Sequence, residues 1–298
     1  MLCDVDGRAD AVRGTVESVC VGEPRPVEVN GDTIWTAIWK RPVDGRVPLR
    51  GVNLRGDGQA DRTVHGGPDK AVYAYAIEDT QWWEAQLGVP LGAGAFGENL
   101  AVRGLPVSDA VIGERWAVGS AVLEVAQPRL PCSKLGLRMN DRGFLKRFAA
   151  AGRPGAYLRT VREGDIGAGD RIDVISRPPH GITSALVSRA LLSEPQLLAA
   201  ALQAPELPAG LRNWMQERAA SAAQRGPSGN RFPLAVRLRG PGGSVRQRRP
   251  TVPLTNRFAD SRGDGSPRCT AGSRAPCRHS IALQIGLPSA SPRPGLCF

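Results

Sequence analysis

The chain has 298 residues, 41 % hydrophobic and 22 % charged, an ordinary composition for a globular protein long enough to bury a core without disulfide staples. Its formal net charge of +11 comes almost entirely from residues 226–298, which hold 12 Arg against 2 Asp, whereas residues 1–225 balance 27 basic against 26 acidic side chains. The body therefore gives no reason to expect a nucleic-acid surface. No apolar run is long enough for a membrane helix or a secretory signal, and six cysteines without a CxxC pair predict reduced thiols in the cytoplasm.

Residues 1–178 alternate short apolar runs with Gly, Pro and Asp turns, a pattern typical of an all-β barrel or sandwich. Two helices interrupt the strands, Asp79–Leu87 and Phe144–Ala151, each ending at a glycine. We expect this stretch to be a mainly β domain with a few helices. Its predicted strands are Gly14–Cys20, Asp32–Trp39, Ala71–Ile77, Asn99–Val102, Trp116–Ala126, Gly155–Val161 and Arg171–Ile175.

Residues 180–225 are rich in Leu and Ala, and the strand pattern stops. Thr183 or Ser184 can cap a first helix, Ser193 a second, and Pro208 can open a third. The segment is predicted to form a small three-helix domain, which is too short for much stability alone and should pack on the barrel or on a partner. Together with exposed strand edges, this domain favours a homodimer.

Residues 226–298 show no sustained periodicity, and their composition of Arg, Pro and Gly predicts disorder. Three interpretations of this tail stay open: a frameshifted or read-through extension, a functional basic tail, and an inert tail. The first is favoured because the tail has no Glu where the body has 12, and because the body already prefers Arg to Lys, as a GC-rich coding sequence would. A basic tail would bind nucleic acid without sequence specificity, so nucleic acid is not an expected partner.

The first motif is RTVHGGPDKAV over residues 62–72. Gly66 and Gly67 let the backbone turn tightly and present N–H groups to an anion, and His65 and Lys70 flank the turn with further donors. The motif can hold a phosphate or a carboxylate. It can equally be a surface turn between two strands, with its charged side chains solvated.

The second motif is FGENL, in which Gly-Glu-Asn precedes a predicted strand. It can place Glu98 and Asn99 at the mouth of that strand, or it can simply initiate the strand.

The third motif is QPRLPCSKL over residues 127–135, directly after the strongest predicted strand. Its two prolines deny the segment helix or ladder geometry and hold Cys132 on a rigid loop. Arg129 and Lys134 flank the thiol, and nearby cations favour the thiolate, which is both a nucleophile and a soft metal ligand. The alternative is an inert buried cysteine.

No other site signal competes with these three motifs. The chain lacks GxSxG, HExxH, Walker A and a GxGxxG before a helix, and its three histidines exclude a multi-histidine metal site. The first 225 residues contain four lysines, two of them in the motifs, where a compact ammonium can be required. These four are Lys40, Lys70, Lys134 and Lys146.

Taken in order, HGGPDKAVYAY, GENL and QPRLPCSKL resemble the MOSC domain, a family named for the C-terminal domain of molybdenum-cofactor sulfurase. The leucine-rich segment 180–225 resembles the three-helix domain of the bacterial YiiM-type members. The resemblance covers roughly residues 10–222 and implies a β-barrel-like fold with a pocket for the molybdenum cofactor. The tail has no counterpart in the family, which fits an out-of-frame extension.

The resemblance also implies roles for particular residues. Cys132 becomes the molybdenum ligand, and the turn around residues 65–70 helps to bind the pterin phosphate or the region near the metal. The cofactor-binding residues implied are Arg62, Thr63, His65, Gly66, Gly67, Asp69, Lys70, Glu98, Asn99, Arg129 and Lys134.

The activity that the resemblance implies is a two-electron reduction of small N-hydroxylated compounds, including hydroxylamino-purines, at molybdenum. The ordinary pKa of histidine lies near neutrality, so His65 is predicted to supply protons as a catalytic acid. Because the chain has no flavin motif and no iron–sulfur cysteine set, a separate flavoprotein reductase must deliver electrons, and the helical domain is either its docking surface or only a cap on the barrel. Two alternatives remain: a sulfur carrier or binding module with a persulfide on Cys132 and no turnover, and a protein that binds pyridoxal phosphate through Lys70 or Lys134.

Overall fold

β-Strands make up most of the computed structural model, which describes residues 13–60 and 66–225. In chain order the strands are β1 (Arg13–Val21), β2 (Arg25–Val29), β3 (Asp32–Thr36), β4 (Arg41–Pro42), β5 (Arg46–Arg50), β6 (Asn53–Leu54), β7 (Val72–Ala76), β8 (Leu100–Arg103), β9 (Arg115–Val118), β10 (Ala121–Gln127), β11 (Ala156–Arg162), β12 (Gly164–Gly167) and β13 (Arg171–Ser176). The α-helices are α1 (Ile77–Leu87), α2 (Ser133–Arg138), α3 (Phe144–Ala151), α4 (Ser184–Leu192), α5 (Leu198–Ala201) and α6 (Ala209–Arg225).

Seven strands close into a barrel in the order β13–β9–β10–β11–β7–β8–β1, and β1 pairs back to β13. All the neighbours are antiparallel except β7 and β8, which run parallel because α1 crosses between them. Closure leaves the seven strands with few free edges. Outside the ring, β4 pairs with β1, β12–β5–β6 form a small sheet, and β2–β3 form a separate hairpin. The predicted mainly β, barrel-like fold class is confirmed.

The barrel core continues without a break into the helices that follow it. Leu123 and Ile172 of the barrel belong to the same buried hydrophobic cluster as Val187, Leu198 and Met215 of α4–α6. The predicted cap of α4 is present, since the Thr183 hydroxyl accepts a hydrogen bond from the Leu186 N–H at 3.1 Å. The predicted division into a barrel domain and a helical domain stays a prediction. No helix in the described ranges is both long enough and apolar enough to cross a membrane.

A second cluster, almost entirely aromatic, packs α1, α2 and α3 against one end of β7. Trp83 of α1 donates its indole N–H to the Tyr75 hydroxyl at 3.0 Å, and its ring centroid lies 4.8 Å from that of Phe144 on α3. Phe96, fully buried, joins the loop before β8 to the same cluster. The cluster therefore holds three helices and the loop before β8 against β7.

Several details of the predicted elements are wrong; Ser193, for example, ends α4 and caps no later helix. Trp116–Ala126 is not one strand, because Gly119 adopts a left-handed φ of 55° and turns the chain into the β9–β10 hairpin. Apolar residues on both sides of this turn hid it. The loop predicted after Cys132 becomes α2 at Ser133, since the last proline of that motif precedes the helix and does not block it. The prediction of a disordered tail over 226–298 lies outside the described residues.

Candidate functional site

An open cleft with about 620 Å³ of empty space, counted out to solvent, lies where the ends of β1, β7, β8, β10 and β11 meet. Parts of all three motifs line it, together with residues from the segments after β3 and before β7. Four cations and one carboxylate face it, so a ligand of negative charge is favoured. These charged lining residues are Lys40, Asp57, Lys70, Arg129 and Lys134.

Cys132 places a half-buried free thiol on the wall of this cleft. It immediately precedes α2, and its carbonyl accepts the Leu135 N–H at 2.9 Å, which fixes the backbone around it. Cys20, also free, is fully buried, and burial above all, with the charge of Glu98, raises the pKa of its thiol to about 12. The two thiols therefore differ: Cys20 is a neutral packing group, and Cys132 is open to a ligand.

Arg129 is a buried cation that forms no salt bridge in the described part of the chain, although its charge lowers the pKa of Glu98. Its guanidinium lies 5.6 Å from the Tyr73 ring centroid and 5.5 Å from that of Phe148. Burial lowers the pKa of Arg129, but attraction to Cys132 and nearby tyrosines outweighs burial, and the net pKa is raised. Its Nη1 atom is buried, and its N–H groups find no acceptor among residues 13–60 or 66–225. A bound anion would satisfy this group, whose isolation is otherwise costly.

Lys134 and Lys70 bring two further positive charges to the cleft. Lys134 projects from α2 with only 6 % of its surface exposed, and no salt bridge to it occurs within the described residues. Lys70 ends the turn at Pro68–Lys70, and its N–H donates to the Gly67 carbonyl at 3.1 Å. Ammonium and guanidinium groups from two different motifs therefore converge on one space.

Lys40 and Asp57 form a buried ion pair in the cleft floor that no motif predicted. Asp57 also accepts the Gly22 N–H at 2.9 Å and the Asn99 side-chain N–H at 2.9 Å. Asn99 in turn accepts the Tyr73 N–H at 3.0 Å, which ties the floor to β7. Burial lowers the pKa of Lys40, whereas Asp57 raises it. This pair is saturated and serves the architecture. The scarcity of lysine was the available signal, because three of the four body lysines line the cleft.

Two other predicted residues point away from the cleft. Glu98 is buried in the turn before β8, where its carboxylate accepts the N–H groups of Gly94 and Phe96. Burial raises the pKa of Glu98, and these backbone hydrogen bonds lower it. Asp69 accepts from Arg159 at 2.8 Å. Both residues therefore hold loops in place and are not among the lining residues.

Part of the hydrogen-bonding capacity of the glycine turn at residues 66–67 is taken up by the protein itself. Gly67 has a left-handed φ of 94°, and its N–H donates to the Gln59 side chain at 2.9 Å. Gln59 itself lines the cleft and donates to the Lys70 carbonyl at 3.2 Å, so it fixes the turn beside the site. Gly66 begins the described part of this turn. The predicted residues Arg62, Thr63 and His65 lie outside the described residues.

Tyr73 and Tyr157 complete the lining, and sequence reasoning missed both as site residues. The Tyr73 hydroxyl donates to the Pro154 carbonyl at 2.9 Å, which directs it into the protein. Burial raises the pKa of Tyr157, and Arg129, which hydrogen-bonds it, lowers it. Tyr157 therefore keeps its phenol proton at neutral pH, next to the Arg129 guanidinium, whose Nη1 atom has no acceptor among the described residues.

Residues 61–173 match the model of the MOSC domain. Over 177 residues, 59 % of this chain, the sequence is 40 % identical to the uncharacterized protein YflK of Bacillus subtilis and covers 80 % of it. It is 32 % identical to protein YiiM of Escherichia coli over 56 % of this chain and 71 % of that protein. A protein named reductase in Gibberella moniliformis is 35 % identical over 50 % of this chain, but that match spans only 27 % of the fungal protein.

The fold has solved relatives as well. The crystal structure of YiiM from Geobacillus stearothermophilus superposes with a TM-score of 0.57 at 29 % identity, over 69 % of this chain and 99 % of that one.

Proposed function

This chain belongs to the MOSC-domain family, as a YiiM-type member, and we propose that it binds the molybdenum cofactor in the cleft and reduces N-hydroxylated compounds such as hydroxylamino-purines. MOSC domains are associated with molybdenum-cofactor binding in general. One observation carries the proposal for this chain: the Cys132 thiol and the buried, unsatisfied Nη1 atom of Arg129 belong to the same cleft.

The donor set fits a metal that brings most of its own ligands. Among the described residues, no group of three or more His, Cys, Asp or Glu could hold a bare metal ion. Cys132 alone offers a soft thiolate at the cleft, which suits molybdenum carried by the sulfur atoms of a pterin. The cofactor is anionic, and Arg129 and Lys134 offer the positive charge that it needs. The residues present therefore fit the group.

When bound, the molybdenum cofactor supplies a centre that exchanges two electrons with the substrate. The overall reaction takes two electrons and two protons, breaks the N–O bond, and releases the amine and water. Cys132 would hold the metal, and Arg129 and Lys134 would hold anionic groups of the cofactor. Tyr157 lines the cleft and carries a proton on its hydroxyl. Among the residues that the structure describes, it is our candidate for proton transfer.

His65 stays the proposed catalytic acid, and Arg62 and Thr63 stay proposed anion contacts, because they lie in the segment matched to the family but outside the described residues. Electrons would come from a separate flavoprotein reductase. The partly matched fungal relative named reductase supports redox chemistry in this family, although it extends far beyond the matched region.

Metal analysis of the full-length protein from a molybdenum-sufficient host tests the proposal. Wild type should carry close to one molybdenum per chain, and Cys132→Ala should carry almost none. Cys20→Ala is the matched control, because it removes the other described thiol from a packed site, and its molybdenum content should equal that of wild type. Reduction of a hydroxylamino-purine by the loaded protein with an artificial electron donor should follow the same order.

Absence of molybdenum from wild type would overturn the proposal and separate its two alternatives. A persulfide on Cys132, found by mass spectrometry, would then favour the sulfur carrier. A visible absorption band after addition of pyridoxal phosphate, lost in Lys70→Ala or Lys134→Ala, would favour the pyridoxal phosphate protein.

A further inference from the structure

Arg25, at the start of β2, carries a positive charge beside the cleft that no salt bridge in the described ranges offsets. Across the β2–β3 hairpin it lies opposite Thr36, which lines the cleft. Its guanidinium carbon lies 4.3 Å from the ring centroid of Trp39, a residue flanked in the chain by two lining residues. The ring holds the guanidinium at the rim while its N–H edge stays available.

Arg138, the last residue of α2, carries a second such charge. It follows Lys134 by four residues, so the two side chains lie on the same face of the helix, and Lys134 lines the cleft. The Nε atom of Arg138 is buried, and no atom of the described chain accepts from it. Burial lowers the pKa of Arg138, the charge of Glu98 raises it, and the charge of Arg25 lowers it.

We propose that Arg25 and Arg138 bind a phosphate group at the mouth of the cleft, and that this phosphate belongs to the substrate, an N-hydroxylated nucleotide. Two guanidinium groups match a tetrahedral dianion, because guanidinium donates two parallel hydrogen bonds to phosphate oxygens. Bound phosphate would accept a hydrogen bond from the buried Nε atom of Arg138, which has no acceptor in the described chain. The inference that the substrate is N-hydroxylated rests on the proposed function, whereas the inference of a phosphate site rests on these side chains alone.

The matched control is Arg162, which lies at the far end of β11 from the lining residue Tyr157. The two residues are five positions apart along the strand, roughly 16 Å at the usual rise. Arg162→Gln removes the same charge as Arg138→Gln from an exposed site away from the cleft. Arg25→Gln is a second test variant, since its exposed side chain can change without loss of the fold.

The experiment compares a hydroxylamino-purine nucleoside with its 5′-monophosphate in wild type, Arg25→Gln, Arg138→Gln and Arg162→Gln. Wild type should prefer the monophosphate in kcat/KM by roughly tenfold, about 1.4 kcal/mol, mainly through KM. Either test variant should lose most of this preference and keep the rate on the nucleoside, and Arg162→Gln should behave as wild type. Calorimetric titration with inorganic phosphate gives a readout that needs no activity.

Molybdenum content distinguishes the two possible sources of the phosphate. Unchanged molybdenum with a lost monophosphate preference supports a phosphate site for the substrate. A lower molybdenum content in Arg25→Gln and Arg138→Gln supports the same site but assigns it to the phosphate of the cofactor. That result would overturn the inference that the substrate is a nucleotide. Equal phosphate affinity in all four proteins overturns the site itself. Failure of the proposed function appears separately, as wild type without molybdenum or reductase activity.

Discussion

Charged side chains are buried in two regions of the molecule: the cleft, and the junction where β9 meets the segment before α4. The two regions differ in whether these charges find partners within the protein. At the junction, Glu114 is fully buried, and both of its oxygens accept hydrogen bonds, from Trp116 at 2.7 Å and from Arg177 at 2.6 Å. In the cleft, Arg129 and Lys134 are buried without a described carboxylate partner. Buried charge that is satisfied within the protein stabilises the fold, whereas buried charge left unsatisfied marks a place for a ligand.

The largest effect on stability is expected at the junction. Glu114→Ala leaves the indole N–H of Trp116 buried without an acceptor, so the free energy of unfolding should fall by about 3 kcal/mol. Urea denaturation of the metal-free protein measures this change. A loss below about 1 kcal/mol would show that this network does not support the fold in the way described.

A smaller difference in stability is expected between variants of two lysines of the cleft, one paired with a carboxylate and one not. Lys40→Met strands the buried carboxylate of Asp57, and we expect a loss of about 2 kcal/mol in the free energy of unfolding. Lys134→Met removes a buried charge that forms no salt bridge within the described residues, so the free energy of unfolding of the metal-free protein should be unchanged or higher. The same denaturation experiment tests both variants, and equal losses would contradict the distinction between paired and unpaired cations.

Cys20 and Cys132, the two thiols that the structure describes, allow the buried interior and the cleft to be compared by chemical labelling. Because burial raises the pKa of Cys20 to about 12, its thiolate is scarce at mildly alkaline pH, whereas Cys132 is accessible. Iodoacetamide should label Cys132 at least about tenfold faster in the metal-free protein, as read by peptide mapping. Labelling of Cys20 should rise only as the pH approaches the pKa of its thiol. Equal rates for both thiols at mildly alkaline pH would mean that Cys132 is not open to the cleft.

Sequence motifs located much of the cleft, because its conformation depends on local chemistry. The prolines and Cys132 of one motif, and the glycines and Lys70 of another, appear in the chain within a few residues of each other. The motifs could not say which side chains face inward. Glu98 sits in a motif, yet it turns toward backbone N–H groups two and four residues before it, because the loop folds back on itself.

The rest of the site depends on pairings between distant segments, which leave no local signal. Asp57 meets Asn99 across 42 positions, and Arg25 lies opposite the lining residue Thr36 only because β2 pairs with β3. The β9–β10 hairpin was missed for a related reason, since apolar residues continue through its turn and only Gly119 marks it.

Arg129→Met tests most directly the claim that the cleft is built for a ligand. Methionine keeps the apolar contact with Tyr73 and Phe148 and removes a buried charge that lacks a described carboxylate. We expect the free energy of unfolding of the metal-free protein to be unchanged or higher, and the molybdenum content to fall to the level of Cys132→Ala. A variant that loses about as much stability as Glu114→Ala, or that keeps its molybdenum, would contradict the account.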